Sequence, residues 1–199
     1  ANVSKSPAND ANGNAPHMPG DEMVWLFLLG DMACFSLFFG MFAYYRSDAL
    51  ELFRESQALL DIHTGSVNTL LLLCSSWLVV LALKAAKRQL CRQAAHMLVV
   101  AAALGTGFLV LKGMEYSDKA ALDIDYLSNN FWVFYYLITG MHYFHVLLGV
   151  PMLLYFAFSL YRTDKVDDTA YANMECGGIY WHMVDLLWII IFPLIYLIP

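Results

Sequence analysis

Five ionisable side chains stand inside the most apolar stretches of this sequence: Asp31, His142, His145, His182 and Asp185. Imidazole and carboxylate groups are unfavourable in hydrocarbon, and where they occur they commonly move protons or line a polar cavity. The His-x-x-His spacing at positions 142 and 145 also places two imidazoles on one helical face, which is half of a metal site. Proton transfer and metal binding are therefore the two chemistries that these residues could perform.

The stretches that contain these residues are long enough to cross a membrane. Hydrophobic residues occupy 60% of the 199 positions, charged residues occupy 14%, and the mean hydropathy is +0.55. A spanning helix needs about 20 apolar residues, and lipid offers its backbone no other hydrogen-bond partner. The predicted spans are about 23–45, 67–86, 94–114, 131–161 and 178–198. The sequence thus predicts an all-α integral membrane bundle of five transmembrane helices within residues 21–199.

The first 20 residues differ from the rest in composition. They are rich in Ala, Asn and Pro and contain no aromatic residue. Such a segment cannot bury enough apolar surface to offset the entropy lost on folding. Residues 1–20 are therefore predicted to form a disordered N-terminal tail.

The distribution of basic residues predicts the orientation of the bundle. Seven stand on the side of the N-terminal tail and four on the opposite side. The seven are Lys5, Lys84, Lys87, Arg88, Arg92, Arg162 and Lys165, and the four are Arg46, Arg54, Lys112 and Lys119. Because cytoplasmic loops carry the excess of Lys and Arg, the N-terminus is predicted to be cytoplasmic and the C-terminus periplasmic.

This orientation places all five candidate side chains in the cytoplasmic half of the membrane. At a rise of about 1.5 Å per residue, Asp31 lies roughly 12 Å from the cytoplasmic end of its helix. Asp185 and His182 lie roughly 10 and 6 Å from the cytoplasmic end of theirs. His142 and His145 lie roughly 10 to 14 Å from the same boundary. A polar network linking the first, fourth and fifth spans is therefore predicted.

Specific pairings are expected for the acidic residues. His182 and Asp185 stand three residues apart on one helical face and form a natural internal pair. Asp31 has no partner on its own helix, so it either stays protonated or meets an imidazole from another helix. Glu115 differs from both acids because the third span begins inside. It emerges about 30 Å away at the outer boundary, beside Lys112.

Other interpretations of the same residues remain open. Each histidine could simply hydrogen-bond to a carbonyl of its own or a neighbouring helix, as in ordinary membrane packing. His96 and His182 could join the His-x-x-His pair in a haem or metal site, although His96 begins its helix at the surface. A small proton-coupled carrier is a further alternative. The odd number of spans and the lack of an internal repeat stand against it.

Several other classes of protein are excluded by the sequence. The four cysteines lie far apart without a Cys-x-x-Cys motif, so neither a disulfide framework nor a zinc site is expected. No basic run could hold nucleic acid. The sequence contains neither a glycine-rich phosphate loop nor a nucleophile elbow, so catalysis by this chain alone is not expected.

Motifs spread over nearly the whole chain after the tail occur in the order of one known family. They are the segment Trp25 to Phe39 with an acid in mid-helix, Asn68-Thr-Leu-Leu-Leu-Leu followed by Ser75-Ser76, Lys112-Gly-Met-Glu-Tyr, Phe131-Trp-Val-Phe-Tyr-Tyr-Leu-Ile-Thr-Gly-Met-His-Tyr-Phe-His-Val and Tyr180-Trp-His-Met-Val-Asp-Leu-Leu-Trp. Together these motifs resemble those of subunit III of the haem-copper oxidases.

The resemblance implies a subunit without redox cofactors of its own. Such a subunit packs beside the catalytic subunit, helps to keep its proton-entry side and active site in working order, and contacts lipid. The positions that align with the family's motifs are Asp31, Glu115, His142, His145, Trp181, His182, Asp185 and Trp188.

Two departures from the common mitochondrial type bear on these implications. That type has seven helices, and its first two build one wall of a lipid-filled cleft, whereas this sequence has five predicted spans. Phospholipid binding in such a cleft is therefore an open question for this chain. The mid-helix acid is Asp31 where the mitochondrial type has Glu, so a proton role carries over only loosely.

Five-helix members of this family belong mainly to two types. One serves quinol oxidases, and the other is the short form encoded with nitric oxide reductases, the nitric oxide reductase E protein. The stretch 51–68 and the ending Ile-Phe-Pro-Leu-Ile-Tyr are more similar to the latter. The resemblance implies a bacterial inner-membrane accessory subunit whose partner is catalytic subunit I of a haem-copper oxidase or nitric oxide reductase. Haem with copper or iron is expected in that partner.

Overall fold

The computed structural model describes residues 22–122, 124 and 127–198, except for the side chains of residues 22 and 23. All secondary structure in these ranges is helical. The helices are α1 (Glu22–Asp48), α2 (Leu50–Gln57), α3 (Ile62–Lys87), α4 (Cys91–Ala121), α5 (Asn130–Arg162) and α6 (Asp168–Phe192), and a π-helical turn (Pro193–Leu197) extends α6. The predicted disordered tail lies outside the described residues.

Five of these helices are long and apolar enough to cross a membrane, which confirms the predicted five-helix fold. They are α1, α3, α4, α5 and α6 together with its π-helical turn. Most of them extend beyond the predicted spans, and α4 continues to Ala121 where the sequence predicted an end near 114. Apolar length identifies the part of a helix that lies in lipid, but polar residues can continue the same helix outside it.

Four of the spanning helices form the core of the bundle. α3 packs against α4 and α6, and α5 packs against the same two helices. α1 lies outside this core and packs mainly along α5. Only 17% of its apolar window is buried, against 33 to 50% for the other four. Few side chains therefore attach α1, and Phe35 and Phe42 are the most deeply buried of them.

The short helix α2 was not predicted from the sequence. It is amphipathic, and its Phe53 packs edge-on against Phe42 with 5.4 Å between the ring centroids. Its Ser56 accepts a hydrogen bond from Asn129 at 3.0 Å. Asn129 also caps α5 by accepting the backbone N–H of Trp132 at 3.1 Å. These contacts hold α2 against α1 and against the first turn of α5.

Two glycines allow Trp181 of α6 to lie deep between α4 and α5. A Cβ atom at Gly149 would lie 2.6 Å from the indole ring, and a Cβ at Gly105 would lie 2.8 Å from it. The indole N–H donates to Ser75 at 3.1 Å, and the Ser75 hydroxyl donates to the carbonyl of Ala101 at 2.8 Å. One buried side chain thereby joins all four core helices.

Replacing Asp61 with alanine should destabilise the chain by about 1 kcal/mol because Asp61 caps α3. Its carboxylate accepts the backbone N–H groups of His63 and Thr64 and the Thr64 hydroxyl, at 3.0, 3.3 and 2.6 Å. These donors, the Thr64 hydroxyl first, lower the pKa of Asp61 below its ordinary 3.8. Because the folded pKa lies below the unfolded one, the contribution is present above pH 3.8. It is lost as the pH falls through the folded pKa.

Unfolding in mixed micelles near neutral pH and near pH 3 measures this effect. The difference in unfolding free energy between the wild type and Asp61→Ala should shrink in acid. Asp61→Asn keeps a capping oxygen without the charge and should lose less than Asp61→Ala near neutral pH. An equal loss at both pH values would contradict the role assigned to the carboxylate.

Candidate functional site

The carboxylate of Asp31 on α1 faces the imidazole of His145 on α5. Asp31 Oδ2 lies 3.2 Å from His145 Nε2, and both side chains are largely buried. The angles at this contact are not those of a hydrogen bond, so distance alone defines it. Of the two states expected for Asp31, protonated alone or facing an imidazole, the structure has the second. The pair also attaches the loosely held α1 to the core.

The second ring nitrogen of His145 constrains the protonation of this pair. Nδ1 lies 2.7 Å from the carbonyl oxygen of Met141, and a carbonyl only accepts hydrogen bonds. Nδ1 is therefore the donor in this contact, which leaves Nε2 turned toward Asp31.

The closing motif on α6 turns toward two adjacent serines of α3. His182 Nδ1 lies 2.6 Å from the hydroxyl oxygen of Ser76. Asp185 stands one turn further along α6, and its Oδ1 is buried without a partner among the described residues. The sequence predicted a direct pair between His182 and Asp185. In the structure His182 instead contacts Ser76, because α3 packs along this face of α6.

His142 stands apart from both groups. Its ring is fully buried between Phe108 of α4 and Trp188 of α6, with 5.5 and 5.1 Å between the ring centroids. Neither ring nitrogen has a hydrogen-bond partner in the part of the chain that the structure describes. His142 precedes His145 by one helical turn, but only His145 contacts Asp31.

A buried ion pair forms a third polar group at the opposite end of the bundle. Lys112 Nζ lies 3.2 Å from Glu115 Oε2, with side-chain exposures of 0% and 6%. The hydroxyls of Tyr135 on α5 and Tyr196 in the π-helical turn donate to Glu115 Oε1 at 2.7 and 2.6 Å. Lys112 donates to both tyrosine oxygens and lies within 5.5 Å of four aromatic ring centroids. Its charge is thus surrounded by acceptors and ring faces.

The surroundings of Glu115 and Lys112 add detail to the prediction for this end of α4. Both were expected side by side at the outer membrane boundary. They are buried within the bundle because α5 and the π-helical turn cover this face of α4. Their three-residue spacing was a readable signal of an ion pair on one helical face. The tyrosines that complete the group carried no such signal, since they come from distant parts of the chain.

The structure therefore distributes the predicted network over separate groups. Asp31 meets His145, while His182 meets Ser76 of α3. His142 lies on α5 between them, without a polar contact to any described residue. Depth along the helices was a sound guide to which groups could meet, but it did not show which faces are turned toward each other.

Metal binding at the His-x-x-His motif finds no support in the ligands around it. Over residues 22–122, 124 and 127–198, no three His, Cys, Asp or Glu side chains converge as metal ligands would. His145 is turned to Asp31, and His142 lies between aromatic rings. His96, the other ligand considered, contacts the Tyr161 hydroxyl through Nδ1 at 2.9 Å.

A mainly apolar groove of about 870 Å³ opens beside this site. It lies between the first turns of α1 and α6 and the last turns of α5, on the side of the N-terminal tail. Phe27, Tyr155 and Phe156 contribute to its apolar wall. Lys165 and Asn173 are among its polar lining residues. Its shape and lining would accommodate an extended apolar molecule with a polar end.

A family profile matches the chain across all five spanning helices. The family is described as Cytochrome c oxidase subunit III, and the match covers residues 23–198. The chain belongs to the cytochrome c oxidase subunit III family. The expectation drawn from the ordered motifs is thereby confirmed. Every buried polar residue described above lies within the part of the chain that the family match covers.

Individual relatives of this subunit III chain come from different kinds of oxidase. A cytochrome c oxidase subunit 3 from Synechocystis is 28% identical over 95% of this chain and 80% of its own length. A probable quinol oxidase subunit 3 from Staphylococcus epidermidis is 22% identical over 87% of this chain and 86% of its own length. A heme-copper oxidase subunit I+III from Aeropyrum pernix is 26% identical over 96% of this chain, which spans only 25% of that longer protein.

Proposed function

We propose that this chain is a non-catalytic accessory subunit of a respiratory haem-copper complex in the bacterial inner membrane. The observation that carries the proposal is the subunit III family match across all five spanning helices. Haem with copper or iron belongs to the partner, catalytic subunit I, and this chain supports the partner's stability and proton uptake. The Aeropyrum relative, named as subunit I+III, supports this choice of partner because its name joins the two subunits in one protein.

The electron donor and the reaction of the complex distinguish two versions of this proposal. The quinol oxidase relative favours a complex that oxidises quinol. The similarity of residues 51–68 and of the C-terminal segment to the nitric oxide reductase E protein favours a nitric oxide reductase. In either version this chain has the same place beside subunit I.

Affinity purification tests the proposal directly. The tagged full chain, expressed together with its neighbouring genes and purified in mild detergent, should bring down a haem-bearing subunit with a Soret absorption band. Metal analysis then separates the versions, because copper indicates an oxidase and non-haem iron without copper indicates a reductase. A tagged inner-membrane protein of another family is the control. Recovery of this chain alone from membranes that contain the catalytic subunit would overturn the proposal.

Phospholipid is the proposed occupant of the groove between α1, α5 and α6. The apolar wall suits an acyl chain, and Lys165 offers a cation to a phosphate group. Lipid extracted from the same purified complex should include tightly held anionic phospholipid. Lys165→Glu should reduce its amount, whereas Lys87→Glu, at an exposed base outside the groove, should not. Equal lipid content in the two variants would contradict the proposed occupant.

The N-terminus is proposed to be cytoplasmic and the C-terminus periplasmic. Lys112 and Lys119 are buried, so only two of the four basic residues counted on the opposite side lie at the surface there. Among the described residues, six exposed basic residues then stand on the side of the tail against two on the opposite side, so the bias toward the side of the tail becomes stronger. Alkaline phosphatase fused after the C-terminus should be active, and green fluorescent protein fused there should be dark. Bright fluorescence without phosphatase activity would reverse the orientation.

Asparagine in place of Asp31 should impair the complex without altering its haem spectrum. The carboxylate of Asp31 lies 3.2 Å from His145 Nε2, and a neutral amide at this position would remove the acidic partner that the buried imidazole faces. The loss of stability should be roughly 1 to 3 kcal/mol, the range for leaving a buried polar group poorly paired. Repeated-turnover assays should show a faster decline of activity or slower proton uptake than in the wild type.

A matched substitution isolates the effect of the pair. Asp48→Asn changes an exposed acid at the end of the same helix and should leave turnover unchanged. If Asp31→Asn retains full activity over as many turnovers as the control, Asp31 serves packing only.

A further inference from the structure

The turn between α3 and α4 contains a glutamine in an unfavourable backbone conformation. Gln89 has a φ of 59°, in the left-handed region. Its backbone N–H donates to the carbonyl of Ala86 at 2.9 Å, and that of Leu90 donates to the carbonyl of Ala85 at 3.0 Å. These two bonds form a Schellman motif, in which the left-handed position is usually glycine. Since a Cβ atom is unfavourable there, the turn alone does not account for a glutamine at this position.

The side chain of Gln89 reaches the connection between α5 and α6. Its Nε2 donates to the carbonyl oxygen of Val166 at 3.0 Å, and its Oε1 accepts the backbone N–H of Val166 at 2.8 Å. One amide group thus satisfies both backbone groups of a residue that is only 8% exposed. The thiol of Cys91 donates to the carbonyl oxygen of Asp164 in the same connection at 3.4 Å. These bonds attach the α3–α4 turn to the α5–α6 connection.

The connection, residues 163–167, is called the mouth segment because it forms one edge of the groove between α1, α5 and α6. Four of its residues line the groove: Thr163, Lys165, Val166 and Asp167. Its ends are held by local hydrogen bonds, from Thr163 to the last turn of α5 and from the first turn of α6 to Asp167. Within the described ranges, the hydrogen bonds that reach its middle come from Gln89 and Cys91.

We propose that Gln89 positions Lys165 for the phosphate group of a phospholipid in this groove. Lys165 directly precedes Val166, so the backbone that Gln89 holds also carries the lysine. A lysine on a fixed backbone loses less conformational freedom when it binds a ligand, which favours binding. Gln89 is not among the residues that line the groove, so it acts through the mouth segment. The proposal rests on the phospholipid occupant proposed above.

This role predicts an effect on the choice of lipid and not on the total amount of lipid. The apolar wall of the groove, which includes Phe27 and Tyr155, does not contact Gln89 and would still hold acyl chains. Lys165 attracts the anionic headgroup. Loss of Gln89 should therefore lower the anionic fraction of the bound phospholipid and leave the total unchanged, an outcome that general loosening of the bundle would not produce.

Lipid extracted from the purified complex tests this prediction. Gln89→Gly removes the side chain and suits the positive φ, so the turn itself is kept. The anionic fraction of the tightly held phospholipid should fall several-fold, to the level of Lys165→Glu. Gln93→Ala, at an exposed glutamine outside the groove lining, is the control and should match the wild type. A Gln89→Gly complex with the anionic fraction of the control would overturn the proposal.

The double variant Gln89→Gly/Lys165→Glu shows whether Gln89 acts through Lys165. If it does, the double variant retains the same anionic fraction as Lys165→Glu alone. A further loss in the double variant would overturn the positioning role. If Lys165→Glu itself equals the wild type, the phospholipid occupant is wrong, so a failure at the groove is distinguished from a failure at Gln89.

The thiol of Cys91 reports on the mouth segment independently of lipid. Cys91 is 7% exposed, and its thiol bonds to the mouth segment at Asp164. In a chain whose other cysteines, Cys34, Cys74 and Cys176, are replaced by alanine, a water-soluble maleimide should modify Cys91 several-fold faster after Gln89→Gly than before it. Equal rates would show that Gln89 does not hold the segment. Faster modification with an unchanged anionic fraction would show that the segment does not position Lys165, and either result would overturn the proposal.

Discussion

Replacement of Glu115 with leucine should destabilise the bundle by about 3 to 5 kcal/mol, the largest effect that we expect from a single polar residue. The side chain of Lys112 is 0% exposed, and Glu115 is its only anionic partner among the described residues. The hydroxyls of Tyr135 and Tyr196 can accept hydrogen bonds from it but carry no compensating charge. The variant would therefore leave a full positive charge inside the protein.

The double variant Lys112→Met/Glu115→Leu separates the charge effect from packing. Removing both charges leaves side chains of similar size, and replacing a whole buried pair by apolar residues is often nearly neutral. We expect the double variant to recover most of the stability that Glu115→Leu loses. Reversible unfolding in mixed detergent and dodecyl sulfate micelles supplies the free energies of the wild type, of Glu115→Leu and of the double variant.

The pair between Glu51 and Arg54 on α2 is the matched control. It has the same three-residue spacing, but its side chains are 83% and 49% exposed and its closest atoms are 3.6 Å apart. Glu51→Leu should change stability by less than about 1 kcal/mol. If Glu115→Leu is as mild as Glu51→Leu, or if the double variant is no more stable than Glu115→Leu alone, Lys112 does not hold a buried charge.

Alanine at Gly149 should destabilise the chain by about 1 to 3 kcal/mol, while alanine at Gly140 on the same helix should be neutral or stabilising. A Cβ atom at Gly149 would lie 2.6 Å from the indole ring of Trp181. The ring cannot easily move away, since it is 1% exposed and its N–H is bonded to Ser75. Either α5 or α6 must shift to make room.

Gly140 isolates this effect because a Cβ atom there meets nothing within 4 Å. Its replacement gains the better helix propensity of alanine, at most about 1 kcal/mol. The opposite signs of the two substitutions are the test, measured by the same unfolding method. In the Gly149→Ala variant the fluorescence of Trp181 should also change. A Gly149→Ala variant as stable as Gly140→Ala would show that the contact with Trp181 is loose.

Apolar length was enough to predict the five spanning helices, because the lipid environment restricts the backbone to helices. The same reasoning did not show that the side chain of Lys112 is buried. A count of basic residues treats each lysine as a loop residue, whereas burial of Lys112 depends on Glu115, Tyr135 and Tyr196. Tyr135 and Tyr196 come from other helical segments, and the sequence around Lys112 does not indicate that they pack against it.

The pairings show a related limit. Asp31 and His145 were placed at compatible depths by residue counting, and the structure brings them together. His142 has a similar depth, yet a turn of about 60° around the helix directs it to Phe108 and Trp188 instead. His182 and Asp185 are neighbours on one face, but the hydrogen-bond partner of His182 is Ser76 of α3. Rotation of each helix about its axis is set by tertiary packing, which the sequence pattern of a uniformly apolar helix does not encode.

The pairing of Asp31 with His145 also fixes an order of events during biosynthesis. The two residues are 114 positions apart in the sequence. At translation rates of about 5 to 20 residues per second, α1 waits roughly 6 to 23 s before the ribosome has made its partner. During that interval the carboxyl group of Asp31 must be held by a proton or by the insertion machinery. Docking of α1 is therefore a late step, completed only after α5 has entered the membrane.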